Sequence, residues 1–150
     1  MNEPKKARAI GVNHVALEVG DIDEALEFYG GFLEFELRSR SDNAVFIDLG
    51  DQFINFSRGR RQAPDDDRHF GLVVDDRQLV ADALETMGVK LLPGPFMDFL
   101  DPWGNRIEII DYTGIQFTKA PHVLKGMGLG GLEKTGEAIA ELTEKGMAPD

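Results

Sequence analysis

Apolar and polar residues alternate across Asn13-His-Val-Ala-Leu-Glu-Val19, a strand pattern with Val15, Leu17 and Val19 on one face and His14, Ala16 and Glu18 on the other. Gly20 breaks the alternation and Asp21 is placed to cap a helix. Ile22, Ala25, Leu26 and Tyr29 then recur at helical spacing until Gly30-Gly31 stops it. A short strand is expected within Leu33–Arg38. Two more, Ala44–Leu49 and Phe53–Ser57, are separated by Gly50-Asp51-Gln52, a turn of hairpin length. Residues 9–58 therefore read as β-α-β-β-β. Residues 59–68 are polar and mixed in sign, with Gly59 and Pro64, and read as a linker. Arg58, Arg60 and Arg61 are followed directly by Asp65, Asp66 and Asp67, which favours a solvated loop over an anion site.

The second half repeats the first. Laying His14-Val-Ala-Leu-Glu-Val-Gly-Asp21 on His69-Phe-Gly-Leu-Val-Val-Asp-Asp76 matches the His, the Leu, the second Val and the capping Asp. The helix that follows carries Leu79, Val80, Ala83, Leu84 and Met87 on one face and ends at Gly88. Further on, Arg106-Ile-Glu-Ile109 corresponds to Phe53-Ile-Asn-Phe56, each after a turn. A second βαβββ unit is thus expected over 69–112, and the fold class is α+β. The tail, 113–150, lies outside the repeat. Its Gly126-Met-Gly-Leu-Gly-Gly131 lacks both the preceding strand and the spacing of a phosphate loop. Leu132–Lys145 suits a short helix whose apolar positions need a surface to dock on, either the body or a partner chain.

Composition narrows the chemistry. The 150 residues include no Cys, which excludes disulfides, thiolate nucleophiles and metal–thiolate sites, so a metal must use His, carboxylate, amide or water. With 27 acidic against 16 basic side chains the net charge is −11, and no basic stripe offsets it, so nucleic acid is not an expected partner. Apolar runs fall far short of a membrane span, and Met1–Arg8 contains no apolar leader core; a cytoplasmic protein with no membrane partner is expected.

Strand parity selects the candidate site. If the Val/Leu/Ile face of each unit covers its helix, the opposite face collects His14, Asn55, His69 and Glu108 from equivalent positions of the two copies. Should the copies pair about a pseudo-twofold axis, these four converge. Two imidazoles and a carboxylate on strands suit Fe2+, Mn2+, Ni2+ or Zn2+ with positions left open, and the Asn55 amide is a weak fourth ligand. Glu18 and Glu108 are the candidates for proton handling, together with Ser57, Tyr29 and Tyr112. Phe53, Ser57, Phe99 and Tyr112 are the expected pocket residues, with Phe46, Phe96 and Met97 as further apolar wall.

The doubled βαβββ pattern, the strand-initial His of N-H-V-A-L-E-V, the helix D-I-D-E-A-L-E-F-Y and the closing D-P-W-G-N-R-I-E-I resemble the vicinal oxygen chelate superfamily, which includes glyoxalase I, bleomycin-resistance proteins, fosfomycin-resistance enzymes and extradiol dioxygenases. The resemblance spans residues 9–112. It implies a curved mixed sheet around a central cavity, a homodimer, His14, His69 and Glu108 as metal ligands, and a small-molecule substrate that chelates the metal through neighbouring oxygens. Asn55 falls where glyoxalase I has a carboxylate, and an amide cannot act as a base, so the set is more similar to dioxygenases and fosfomycin enzymes. The dioxygenases' additional acid–base His has no evident counterpart. The alternative is a non-catalytic drug-binding protein of the bleomycin-resistance type.

Overall fold

The computed structural model describes residues 3–150; Met1 and Asn2, the start of the segment read above for a leader, lie outside it. The first unit is β1 (His14–Val19), α1 (Ile22–Gly30), β2 (Leu37–Arg40), β3 (Ala44–Asp48) and β4 (Phe53–Arg58). The second is β5 (Phe70–Val74), α2 (Arg77–Met87), β6 (Asp98–Leu100) and β7 (Arg106–Asp111). Both helices start as their sequences dictate. The Asp21 carboxylate accepts from the Glu24 N–H at 2.8 Å and the Asp76 carboxylate from Gln78 N–H at 3.0 Å. Gly88 ends α2 at φ 75°, a left-handed turn that glycine adopts without a Cβ penalty.

The α+β class and the two mixed sheets hold, in the orders β1-β4-β3-β2 and β5-β7-β6, each with one parallel pair joining its first and last strand. The second copy is one strand short. Its missing strand would occupy Leu91-Leu-Pro-Gly-Pro95, where two prolines lack the N–H that a ladder needs; only the Leu92 N–H reaches across, to the Asp98 carbonyl at 2.7 Å. The sheets also stay separate. No ladder joins edge strands β1 and β5, so the described chain does not close one sheet around a cavity.

The core lies on the helix-facing sides of both sheets. Leu17, Val19, Ile54 and Phe56 from the first and Leu72, Ile107 and Ile109 from the second are buried there, as the alternation predicts. Phe99 of β6 is fully buried and meets Phe28 of α1 and Phe32 just beyond it at ring-centroid distances of 6.3 and 5.3 Å. Phe28 thus ties α1 to the second sheet.

A polar knot reinforces that seam. Asp101 is buried and accepts from the Tyr29 hydroxyl at 2.9 Å, the N–H groups of Trp103 and Asn105 at 3.0 and 2.8 Å, and the Asn105 amide at 2.8 Å. The same Asn105 amide donates to the Glu18 carbonyl of β1 at 2.9 Å. Much of the D-P-W-G-N motif is therefore a fastener between the units.

The tail docks on its own chain. A 3-10 turn (Tyr112–Gly114) leads to α3 (Pro121–Gly126) and α4 (Gly136–Glu144). The Lys119 ammonium donates to the Leu49 carbonyl and to Asp51 in the β3–β4 turn. Lys134 lies 3.4 Å above the Tyr112 ring and donates to the Tyr112 and Phe117 carbonyls. Ala138 and Leu142 of α4 are buried. Among the described residues no helix is long and apolar enough to cross a membrane.

Candidate functional site

Register places the candidate side chains. In the first sheet His14 pairs with Phe53, Ala16 with Asn55, and Glu18 with Ser57, all on the face away from α1. His14 stacks on Phe53 with ring centroids 4.7 Å apart and planes 4° from parallel. The Asn55 amide donates to the Ser57 hydroxyl at 3.3 Å. In the second sheet Gly71 pairs with Glu108 and Glu108 with Asp98, and His69 immediately precedes β5, so these too occupy the open face.

Both imidazoles are oriented alike. His14 Nδ1 lies 2.9 Å from the Asn13 side-chain oxygen and His69 Nδ1 lies 2.7 Å from the Asp67 carbonyl oxygen. Those oxygens only accept, so each Nδ1 carries the hydrogen and each Nε2 of the neutral ring is left with a free lone pair. Fixing one ring nitrogen on an oxygen acceptor is how proteins present the other to a metal. Glu108 is half-buried and engages no hydrogen-bond donor or cation among the described residues. The donor set fits a divalent ion.

The positions do not converge within one chain. A cavity of about 620 Å3 takes His14 from the start of β1 together with β5 from Phe70 to Val74, under a roof of tail residues that includes Phe117, Met127 and Leu132. A groove of about 330 Å3 takes Glu18 from the end of β1 with His69. His14 therefore lines one cavity and His69 the other. No three His, Asp or Glu among the described residues form a metal-sized cluster. His14, His69, Glu108 and Asn55, expected to converge if the two copies pair about a pseudo-twofold axis, are not gathered into one such cluster within the single chain.

Two further expectations change. Phe99 pairs with Ile107, so it belongs to the core face and lines no open pocket. Tyr29 is fully buried; burial first, then the Asp101 carboxylate it donates to, raises its hydroxyl well above the ordinary value, so it keeps its proton. Tyr112 lines the larger cavity but its hydroxyl accepts from the Lys119 N–H at 3.3 Å. Glu18 and Ser57 remain on the open face, as does Phe53.

Sequence reading also missed a charged network. Asp98, buried beside Glu108, takes both Nε and Nη2 of Arg106, at 2.9 and 2.7 Å. The signal was present, since Asp98 has the same parity as Glu108, but a lone acid in Asp98-Phe-Leu100 reads as a strand end. Within the linker, which is exposed at most of its positions, Arg60 and Asp65 are packed. The Arg60 side chain is 3% exposed and bonds Asp65, the Asn105 side chain and the Ala63 and Gly104 carbonyls.

Burial alone pushes the Asp65 carboxyl up, but hydrogen bonds from Arg68, the Arg106 N–H and Arg60 outweigh it and hold the group below the usual carboxylate range. A lowered folded value contributes stability that is complete above the unfolded value, about 3.9, and is lost as pH falls through the folded one. Urea midpoints measured against pH should therefore drop below about pH 4, and Asp65→Asn should flatten that acid limb while costing about 3 kcal/mol at neutral pH, because Arg60 is left buried without its partner.

The comparisons with known proteins agree with this architecture. The family model for the Glyoxalase/Bleomycin resistance protein/Dioxygenase superfamily matches residues 11–109. The chain belongs to that superfamily. Within it, the chain is 26% identical over 110 residues to the glutathione transferase FosA of Serratia marcescens, covering 65% of this chain and 78% of that protein. The fold is similar to the fosfomycin resistance protein FosX of Mesorhizobium loti, with TM-score 0.59 at 19% identity over 68% of this chain and 91% of the other. It is similar also to FosX of Listeria monocytogenes, with TM-score 0.60 at 16% identity over 71% and 96%. A variant of the Listeria protein has been solved in complex with Mn(II) and 1S,2S-dihydroxypropylphosphonic acid.

Proposed function

We propose that this superfamily member is a cytoplasmic metal-dependent enzyme acting on a small molecule that offers two neighbouring oxygens, and that its site forms in a homodimer, where His14 of one chain meets His69 and Glu108 of the other. One observation carries the reading. Two histidines at matched positions each spend Nδ1 on an oxygen acceptor and leave Nε2 free, with an uncommitted Glu108 one strand away from His69. The single chain supplies both half-sites and keeps them apart, which a second copy related by a twofold axis resolves. The FosX relative solved with Mn(II) supports a metal here and makes Mn(II) the first ion to test.

A bound divalent ion would act as a Lewis acid, stabilising negative charge that develops on the substrate oxygens. His14, His69 and Glu108 would hold it. Asn55, tied to Ser57, adds no charge, so the three-ligand arrangement is favoured over that of glyoxalase I. Glu18, paired with Ser57, would move a proton, and Phe53 would orient the substrate beside His14.

Calorimetric titration of untagged protein with manganese(II) and iron(II) tests the reading. Wild-type protein should bind, the His14→Ala/His69→Ala double variant should lose affinity by about 100-fold or more, and sedimentation should give twice the 16.6 kDa chain mass. Unaltered binding in the variant would refute it. The apolar lining of the larger cavity favours, as a second reading, sequestration of an apolar drug. Turnover by the metal-loaded protein that Glu108→Ala abolishes decides for catalysis.

A further inference from the structure

The first sheet carries a cation for which the proposed metal chemistry has no use. A regular β2–β3 ladder would set Arg38 opposite Phe46. Instead Leu37 pairs with Ile47 and Ser39 with Phe46, so the register slips and Arg38 is the extra residue of a β-bulge. Bulges re-aim side chains, and this one carries the Arg38 guanidinium across β3 to lie 4.9 Å above the Phe53 ring. Phe53 is the ring on which His14 stacks, and Phe46 leans on it at 5.6 Å. Arg38, Phe53 and His14 therefore form a continuous stack on the open face.

The guanidinium is uncommitted. Nearby Arg40 is paired with Asp23 at 2.5 Å, whereas Arg38 pairs with no carboxylate among the described residues. Glu18 and Asp48 share its face by register, and neither reaches ion-pair distance. A planar fork held over aromatic rings matches a carboxylate bidentately, and the rings beside it offer a flat wall.

We propose that Arg38 is a specificity-determining residue that recognises a single carboxylate on the substrate whose neighbouring oxygens the metal would hold. One guanidinium balances one negative charge. On a face that also carries Glu18 and Asp48, in a chain of net charge −11, a dianionic phosphonate is left under-neutralised where a carboxylate is not. The inference rests on the metal reading for the neighbouring oxygens, but not for the carboxylate.

Two arms separate them. In the first, manganese-loaded protein is titrated calorimetrically with 3,4-dihydroxybenzoate and with neutral 4-methylcatechol. Wild-type protein should prefer the carboxylate by about tenfold. Arg38→Gln should erase that preference while leaving 4-methylcatechol affinity unchanged, and Arg38→Lys, which lacks the fork, should restore only part of it. In the second, metal-free protein is titrated with benzoate, and the NMR shifts of the His14 and Phe53 ring protons should move in wild type and stay still in Arg38→Gln. A preference that survives Arg38→Gln, or no preference in wild type, overturns the inference while manganese binding keeps the metal reading intact. Absent manganese binding with a positive benzoate arm overturns the metal reading and leaves the anion site standing; a silent benzoate arm overturns the site.

Discussion

Mixing His14→Ala protein with Glu108→Ala protein should restore manganese binding that neither variant has alone. Each variant destroys a different half-site. In a mixed dimer, the Glu108→Ala chain contributes an intact His14, and the His14→Ala chain contributes intact His69 and Glu108, so one complete site forms beside one doubly crippled site. With statistical exchange of chains, about one quarter of the wild-type metal content should return. The result follows from the single chain's holding His14 and His69 in different cavities. A site assembled within one chain predicts no recovery at any mixing ratio, so metal analysis of the re-isolated dimer decides between the two arrangements.

Asp101→Ala should be the most damaging single substitution for stability. It removes the acceptor of four hydrogen bonds at a position that is 4% exposed, leaving the Tyr29 hydroxyl and the Asn105 amide to find new partners in a dry seam. Each stranded buried donor costs roughly 1 to 3 kcal/mol, so a loss of about 4 kcal/mol is expected. For a chain of this length that lowers the thermal midpoint by about 10 °C, readable by calorimetry. Tyr29→Phe should cost much less, because it removes one donor and leaves Asp101 with its other three. Equal losses would show that the Tyr29–Asp101 bond alone, rather than the whole knot, holds the seam.

The local plan was legible in the chain because local forces write it. Asp21 and Asp76 cap their helices for want of other partners for the first N–H groups, and alternation sorted Leu17 and Val19 from His14 and Glu18, since burial on one face of a strand has period two. The duplicated His and the D-P-W-G-N run made the family resemblance readable as well. The same reasoning stopped short at Phe99, whose side of β6 follows from pairing with Ile107, and at Arg60, which in sequence is one charge among many and in space is the buried partner of Asp65.

By itself, then, the sequence determined the repeated units, their inner and outer faces, and the residue types able to hold a metal. Only the tertiary structure decided that β1 and β5 do not join, that the two histidines line separate cavities, and that a bulge lifts Arg38 over Phe53. Periodicity encodes which face of an element is buried. It carries no information about which edge meets which or where a register slips, because those are settled by contacts between residues far apart in the chain.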